Sequence, residues 1–249
     1  MDRPALLING LSKSFGSIKA IENFDFALRQ GEIHALIGPN GAGKSTLVGL
    51  IAGDLKHDKG HIQLAGHDVT GMAAYLRPRL GLARSFQVSQ LYMEFNAATN
   101  VVLAILARTG RTGMLKAVAD DRLLQGEALG YLARVDLAAR SGALTSDLSH
   151  GERRQLEVAM ALAQQASVLL LDEPMAGMGT EESAKMTSLI SELRGTCSVL
   201  LVEHDMQAVF ALADRITVLV RGRAFATGTV DEIRANAAVR DAYLGDTDA

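Results

Sequence analysis

The sequence predicts an α/β protein whose main sheet is mostly parallel, with short strands before it and a block of helices inserted into it. Three observations carry this prediction. Compact apolar runs are followed by helical patterns within 33–55 and within 167–212, an order that places helices over parallel strands. The region from about 88 to 165 has helical patterns and no convincing strand. Glycines interrupt the first 31 residues at turn-like intervals.

The elements before the helical block follow from alternation and apolar runs. Apolar residues between 21 and 28 lie near a two-residue period, as in short strands joined by turns. IHALIG (33–38) predicts a buried strand and KSTLVGLIAGDL (44–55) a helix. HIQLAG (61–66) predicts another strand, followed by a short helix that begins at Gly71.

The helical block and the elements after it complete the chain. ATNVVLAILARTG, DDRLLQGEALGYLARVDLAARSG and GERRQLEVAMALAQQ predict its helices. SVLLLDEP and SVLLVEHD then predict core strands, each followed by a helix, and ITVLVRGRAFATG predicts a hairpin before one or two short terminal helices. Because sheet elements lie on both sides, we interpret 88–165 as a helical subdomain within one domain (1–249), whose core comprises about 1–87 and 166–249.

Composition narrows the function classes. The 249 residues include 48% hydrophobic and 21% charged residues, with a net charge of −3, so no basic surface indicates nucleic acid as a partner. Cys197 is the only cysteine, which excludes an internal disulfide and a cysteine-based metal site. No apolar stretch approaches the roughly 18 residues of a membrane span, so work at a membrane requires another chain to cross it.

The strongest motif is GPNGAGKST at 38–46, between a predicted strand and a predicted helix. Glycines in such a loop let the backbone turn its N–H groups toward phosphate oxygens. The lysine supplies a charge for the β- and γ-phosphates, and the serine hydroxyl suits Mg²⁺. The predicted nucleotide-binding residues are Gly38, Pro39, Asn40, Gly41, Ala42, Gly43, Lys44, Ser45 and Thr46.

Polar side chains at the predicted ends of other strands supply the remaining chemistry. Asp172 suits Mg²⁺ and Glu173 suits activation of a water molecule, although the pair taken alone also fits a solvated acidic turn. His204 suits the γ-phosphate or the attacking water, against the alternative of a structural histidine. Gln87 suits Mg²⁺ or water and contact with the helical block, against the alternative of a plain loop residue.

A second candidate anion site begins the helix at LSHGE (148–152). Ser149 and Gly151 lie where free N–H groups and the positive end of a helix dipole favour an anion. The alternative is an ordinary capping box, with Ser149 as the N-cap and Glu152 closing it. One chain with one phosphate loop has no evident need for a second phosphate-facing helix start, 105 residues after Lys44.

Taken in order, GPNGAGKST, Gln87, LSHGE, LLLDEP and EHD resemble the ATP-binding subunits of ABC transporters. The resemblance covers about residues 7–244 and implies a P-loop NTPase fold with an N-terminal antiparallel β subdomain. It implies two chains paired head to tail, with Ser149 and Gly151 of one holding the ATP bound by Lys44 of the other. It also implies ATP and Mg²⁺ as cofactors and attachment to permease subunits at the cytoplasmic face of a membrane.

The resemblance assigns a role to each matching residue. Phe15 matches the aromatic residue that stacks on adenine, and Gln87 the lever between nucleotide and membrane partner. Ser45, Gln87 and Asp172 are the implied metal contacts. Glu173 is the implied catalytic base, assisted by the switch histidine His204 together with Lys44 and Gln87.

The departures from the commonest family pattern indicate a subgroup. His150 and Glu152 replace a glycine and a glutamine, and no aspartate stands near Gly179, where many relatives have one that couples the two sites. LSHGE, LDEPMAGM, VEHDM and the closing GTVDEIRANAAVRDAYLG resemble ATPases of branched-chain amino acid and urea uptake, which act with a solute-binding protein. The alternatives are the ATPase of lipopolysaccharide export, a soluble ABC ATPase, and a P-loop kinase or GTPase.

Overall fold

A computed structural model of the chain describes residues 3–84, 91–109 and 121–240. Its strands form two sheets. The first, in the order β2-β1-β4-β5, is antiparallel. The second, in the order β10-β9-β3-β8-β7-β6, is parallel except for the β9–β10 hairpin. The strands are β1 (Leu6–Phe15), β2 (Ile18–Leu28), β3 (Ile33–Ile37), β4 (Lys59–Leu64), β5 (His67–Asp68), β6 (Leu82–Arg84), β7 (Val168–Asp172), β8 (Ser198–Val202), β9 (Arg215–Val220) and β10 (Arg223–Gly228).

The helices follow the predicted order. They are α1 (Lys44–Ala52), α2 (Ala97–Thr109), α3 (Arg122–Arg134), α4 (His150–Ala163), α5 (Thr180–Ser191), α6 (Met206–Leu212), α7 (Val230–Ala235) and α8 (Ala237–Val239). Short 3₁₀ helices cover Ala74–Leu80, Ala138–Arg140 and Thr145–Asp147. In the described part of 88–165 the regular elements are helical, apart from one isolated bridge between Asn96 and Leu144.

The central strands are continuously apolar because both faces of the parallel sheet are covered. Every residue of β3, β7 and β8 is buried. Alternate residues of β7 serve two cores: Val168 and Leu170 pack with the antiparallel sheet and α1. Leu169 and Leu171 pack with the helices α2, α3 and α4. The sheet is therefore the central layer, with one core packed on each face.

Local predictions differ from the structure in detail. The helix predicted over DDRLLQGEALGYLARVDLAARSG ends at Arg134, and Asp136 after it has a left-handed backbone. The helix predicted to reach residue 55 ends at Ala52, because Gly53 adopts a left-handed backbone and caps it. The helix predicted from Gly71 is a 3₁₀ segment that begins at Ala74 and contains Pro78, which cannot donate a backbone hydrogen bond. The buried guanidinium of Arg77 in this segment donates to the carbonyls of Leu50 and Ile51 at the end of α1.

No helix in the described ranges is both long and apolar enough to cross a membrane.

Candidate active site

The polar residues predicted from the sequence converge because of the strand order. Strands β3, β8, β7 and β6 are consecutive parallel neighbours, so the loops that follow them leave the same edge of the sheet. This edge carries the phosphate loop, the Asp172–Glu173 pair and His204. Ligands of open α/β sheets bind at such carboxyl ends of strands. Gln87 follows β6 in the chain but lies outside the residues that the structure describes.

The backbone of the phosphate loop requires glycine at two positions. Gly43, directly before α1, has a φ of 108°, and a Cβ there would collide with the carbonyl oxygen of Ala20. A Cβ at Gly38 would likewise collide with the carbonyl oxygen of Leu219. The start of α1 has no side-chain cap. Its first backbone N–H groups and the helix dipole therefore suit an anion.

Lys44 lies across the loop that precedes it. Its Nζ donates hydrogen bonds to the carbonyl oxygens of Gly38 (2.6 Å) and Pro39 (3.1 Å). Burial lowers the pKa of this ammonium, and the nearby carboxylates of Glu173 and Asp172 oppose that shift. The positive charge of the loop is thus electrostatically coupled to both acids at the end of β7.

Asp172 is a buried carboxylate, only 1% exposed. Burial raises its pKa, while Arg84 opposes the shift through an Nη2–Oδ2 contact of 3.5 Å. Arg84 also contacts Asp54 beyond the end of α1, with Nη1 and Oδ2 2.6 Å apart. A divalent cation beside Asp172 would offset the desolvation of its carboxylate.

The donor set fits Mg²⁺ rather than a metal held by many protein ligands. The described ranges contain no group of three or more His, Cys, Asp or Glu side chains arranged to bind a metal. Mg²⁺ characteristically takes one or two protein oxygens together with substrate phosphates and water. Asp172 and the exposed Ser45 hydroxyl at the start of α1 are oxygen donors of that kind.

Glu173 and His204 face each other across neighbouring loops. The Nδ1 of His204 lies 3.9 Å from Oε1 of Glu173, and the two side chains are 64% and 32% exposed. Glu173 has a φ of 50°, an uncommon conformation for a residue with a side chain, and its N–H donates to the carbonyl of Val202 (2.9 Å). Such strained positions recur where a side chain must be aimed at a reacting group.

The start of α4 contains the capping box that the sequence offered as an alternative. Ser149 Oγ accepts from the N–H of Glu152 (3.2 Å), and Glu152 Oε2 accepts from the N–H of Ser149 (2.8 Å). That hydrogen bond and Arg140 lower the pKa of Glu152. Among the described residues, neither Ser149 nor Gly151 hydrogen-bonds to the phosphate loop of its own chain.

Two further features belong to the edges of the site. Phe15 is 47% exposed at the end of β1, with Nζ of Lys13 5.2 Å from its ring centroid. The loop after Glu173 lies against the start of α4: a Cβ at Gly177 would be 3.5 Å from Nε2 of His150. A Cβ at Gly151 would be 2.8 Å from Oε2 of Glu182, so little space separates α4 from α5 there.

Comparison with known proteins decides the family. The model of the family described as "ABC transporter" matches residues 21–176, more than half of the chain. The chain belongs to the ABC transporter ATP-binding family. A second model, "Branched-chain amino acid ATP-binding cassette transporter", matches residues 225–249.

Three curated relatives of this ABC ATPase carry the same kind of name. It is 38% identical to the high-affinity branched-chain amino acid transport ATP-binding protein LivG of Salmonella typhimurium over 99% of this chain and 100% of the relative. It is 37% identical to the LivG of Escherichia coli K12 with the same coverage. It is 33% identical to BraF of Pseudomonas aeruginosa, also a high-affinity branched-chain amino acid transport ATP-binding protein, again over 99% and 100%.

Solved structures confirm the fold of this ABC ATPase. A nucleotide-free ATP-binding cassette from an ABC transporter matches with a TM-score of 0.85 at 24% identity, over 98% of this chain and 100% of that one. A dimeric post-hydrolysis cassette bound to ADP and Pi matches with a TM-score of 0.78 at 22% identity, over 90% and 98%. The predicted α/β class with a mainly parallel core, an antiparallel sheet and helices inserted between strands is therefore confirmed.

Sequence reasoning missed two charged residues that organise this site. Arg84 joins Asp172 to Asp54, and Glu203 has a buried side chain between the loops that follow β7 and β8. Their position next to strand ends was the available signal. The acid of VEHD directly follows four apolar residues, where a charged side chain is buried only if hydrogen bonds compensate it.

Proposed function

We propose that this ABC ATPase powers a membrane importer of branched-chain amino acids or related small polar solutes. The observation that carries the proposal is the joint position of Lys44, Asp172, Glu173 and His204 at one sheet edge. The chain that bears this site matches a branched-chain amino acid transporter family model at residues 225–249. Its relatives LivG and BraF are named as branched-chain amino acid transport ATP-binding proteins.

In the proposed reaction, residues 38–46 bind the phosphates of ATP and Phe15 stacks on its adenine. Lys44 exchanges its hydrogen bonds to the Gly38 and Pro39 carbonyls for phosphate oxygens. Ser45, Asp172 and Gln87 would hold Mg²⁺, which would supply charge neutralisation at the β- and γ-phosphates. The support for this arrangement is the uncapped start of α1 and the buried carboxylate of Asp172.

Hydrolysis of the γ-phosphate needs a base for water and a hydrogen-bonding group beside the phosphate. Glu173 accepts the proton of the attacking water, and His204 bonds the γ-phosphate or holds that water. The exposure of both side chains and their 3.9 Å separation support this division of roles. Loss of such a base typically lowers the rate by about 10²–10⁴.

The active unit in this proposal is a head-to-tail pair of ATPase subunits, identical or homologous. Ser149 and Gly151 of one subunit complete the ATP site of the other, which accounts for a second anion-facing helix start. Ser149 is exposed, and capping its own helix leaves a second lone pair on its Oγ available. A dimeric cassette of the same fold supports the pairing.

The proposed attachment to the permease uses a groove between the 3₁₀ segment Ala74–Leu80 and helices α2 and α4. This groove has a volume of about 370 Å³, and its lining includes Tyr75, Leu91, Tyr92 and Met160. Tyr75 and Tyr92 are 75% and 56% exposed. Gln87 lies in the chain between β6 and Leu91 of this groove. The helical subdomain (about 88–165) would therefore pass nucleotide-dependent motion to a peripheral membrane contact.

The experiment that tests this function is a mild-detergent pull-down of the tagged chain from its native membrane, with partners identified by mass spectrometry. Permease subunits, a second ATPase and a solute-binding protein are expected. The double change Tyr75→Ser and Tyr92→Ser should lose the permease, while Phe225→Ser, which alters another exposed aromatic residue, should retain it. Ribosomes, or no membrane protein at all, would contradict the transport proposal.

The second candidate function is the ATPase of lipopolysaccharide export, since LSHGE followed by RRQLE is close to that group. The same pull-down separates the two, because an export assembly has no solute-binding protein for amino acids. The match at residues 225–249 favours the importer.

A further inference from the structure

Glu203 is a buried acid at the point where β8 ends. Its side chain is 1% exposed, in contrast to the exposed residues His204 and Asp205 that follow it. It lies between the loop after β7 and the loop after β8, the two loops that carry Glu173 and His204.

Both carboxylate oxygens of Glu203 accept hydrogen bonds from backbone N–H groups. Oε1 accepts from the N–H of Met175 at 3.0 Å. Oε2 accepts from the N–H of His204 at 3.0 Å and, more weakly, from that of Asp205 at 3.5 Å. One oxygen is therefore bound to the first loop and the other to the second.

The cost of burying this charge is offset mainly by those backbone dipoles. An isolated carboxylate would be strongly disfavoured at such a site, and two or three N–H donors are what stabilise its charged form. Within the described ranges its one ion-pair contact is with the His204 ring, whose Nδ1 lies 3.8 Å from Oε2. The same Nδ1 lies 3.9 Å from Oε1 of Glu173, so it stands between two carboxylates.

This arrangement fixes the relative position of the two loops. Met175 comes two residues after Glu173, and the N–H of Glu173 bonds back to Val202 at the end of β8. Glu173, Met175, Glu203 and His204 thus form a closed set of contacts across two neighbouring strands. Movement of either loop would break a hydrogen bond to a buried charge, which is energetically expensive.

We propose that Glu203 is a positioning residue for ATP hydrolysis: its carboxylate holds the Glu173 loop and the His204 loop at the separation that the reaction requires. The proposal rests on the proposed function, because it assigns Glu203 a role through Glu173 and His204. Because its side chain is only 1% exposed and both of its oxygens bind backbone N–H groups, Glu203 acts through the groups that it holds.

The test is ATP hydrolysis by the purified full-length chain with Glu203→Gln. The variant has nearly the same shape, but its amide presents only one acceptor oxygen to N–H donors on two sides. We expect kcat to fall about tenfold to a hundredfold, the scale of a small misplacement of reacting groups. The KM for ATP should change less than about threefold, because the phosphate loop is untouched.

Glu32→Gln is the matched control. Glu32 is another buried acid that accepts a backbone N–H, from Arg29 (2.7 Å), and lies near a histidine, with Nδ1 of His34 3.5 Å from its Oε1. It directly precedes β3, at the amino ends of the parallel strands, whereas the site lies at their carboxyl ends. This variant should lower the melting temperature and leave kcat unchanged, which separates lost stability from lost positioning.

A double-mutant cycle gives a second readout. In a His204→Ala background, Glu203→Gln should reduce kcat by clearly less than it does in the wild type, because one of the two groups that it positions is gone. If Glu203→Gln does not fold, Glu203→Asp replaces it: it keeps the charge but is one methylene too short to bind both loops. A drop in kcat is expected for that variant too.

The outcomes distinguish this inference from the proposed function. An unchanged kcat in a folded Glu203 variant, a rise in KM alone, or an equal loss in Glu32→Gln would overturn the positioning role. Absence of ATP hydrolysis by the wild type both alone and in the membrane complex recovered by the pull-down, or full activity of Glu173→Gln, would instead contradict the proposed function on which the role rests.

Discussion

At the scale of single residues, the buried carboxylate of Asp172 lowers the stability of the fold but is needed for the proposed hydrolysis. Burial raises the pKa of its carboxyl, so the ionised group destabilises the fold at neutral pH when no cation is present. Asp172→Asn should therefore raise the melting temperature in EDTA by about 2–4 °C, the effect of roughly 1 kcal/mol in a domain of this size. It should also abolish Mg-ATP hydrolysis. Thermal unfolding and a phosphate-release assay measure the two effects.

Two further measurements test whether burial of the Asp172 charge causes the higher melting temperature of Asp172→Asn: its pH dependence, and a control variant at Asp54. Because the folded-state pKa of Asp172 lies above its unfolded value, the wild type loses stability as the pH rises through that interval. The advantage of Asp172→Asn should thus be largest above the folded-state pKa and shrink as the pH falls toward the unfolded value of about 3.9. Asp54→Asn, which changes the exposed partner of Arg84, should have almost no effect. A lower melting temperature for Asp172→Asn in EDTA would contradict the burial argument.

Substitutions at two glycines of the phosphate loop distinguish the cost of a strained backbone from the cost of a steric collision by the added Cβ. Gly41 has a φ of 76° and open space around a Cβ, so Gly41→Ala should cost only the roughly 1–2 kcal/mol of a left-handed alanine. Gly43→Ala adds a collision with the carbonyl of Ala20 and should cost clearly more. It should also lose ATP binding, measured with a fluorescent ATP analogue. Equal stabilities for the two variants would mean that the backbone near Gly43 shifts enough to relieve the collision with Ala20.

At the scale of elements, two helices that begin with the same kind of capping box allow the structural role of Ser149 to be distinguished from its proposed role in binding ATP. Ser149 closes a capping box with Glu152 on α4, and Thr229 closes one with Glu232 on α7. Ser149→Ala and Thr229→Ala should each cost about 0.5–2 kcal/mol of stability. Only Ser149→Ala should reduce ATP-dependent pairing of subunits, since α7 has no proposed phosphate contact. Denaturant titration and light scattering provide the measurements, and similar pairing by both variants would contradict the role of Ser149.

The elements also show which features can be predicted from local sequence and which depend on the strand order. β3 and β7 can be predicted because a strand buried on both faces must be continuously apolar. The cap of α4 can be predicted because its hydrogen bonds join residues only three positions apart. The contacts of Arg84 with Asp54 and Asp172 join residues 30 and 88 positions apart, which depends on the strand order β7–β6. The buried hydrogen bonds of Glu203 were missed for the same reason, since Met175 lies in the loop after the neighbouring strand β7.

At the scale of the whole molecule, the two groups of residues that we propose to hold ATP do not meet within one subunit. Lys44, Glu173 and His204 lie at the sheet edge, whereas Ser149 caps α4 without a hydrogen bond to the phosphate loop of the same chain, among the residues described. Pairing two copies with C₂ symmetry would complete both sites at once. ATP bound between the copies would then hold them together until it is hydrolysed.

This arrangement predicts an ATP-dependent dimer that accumulates when hydrolysis is slow. Glu173→Gln keeps the side-chain shape and the backbone bond to Val202 but cannot accept a proton, which should raise the barrier by about 3–5 kcal/mol. With Mg-ATP, light scattering should give twice the 26.5 kDa monomer mass, and without nucleotide the monomer mass. Adding Lys44→Ala or Ser149→Ala should abolish the dimer. A Glu173→Gln variant that binds ATP yet remains monomeric would mean that the α4 start serves no second subunit of the same chain, which leaves a homologous ATPase as its partner.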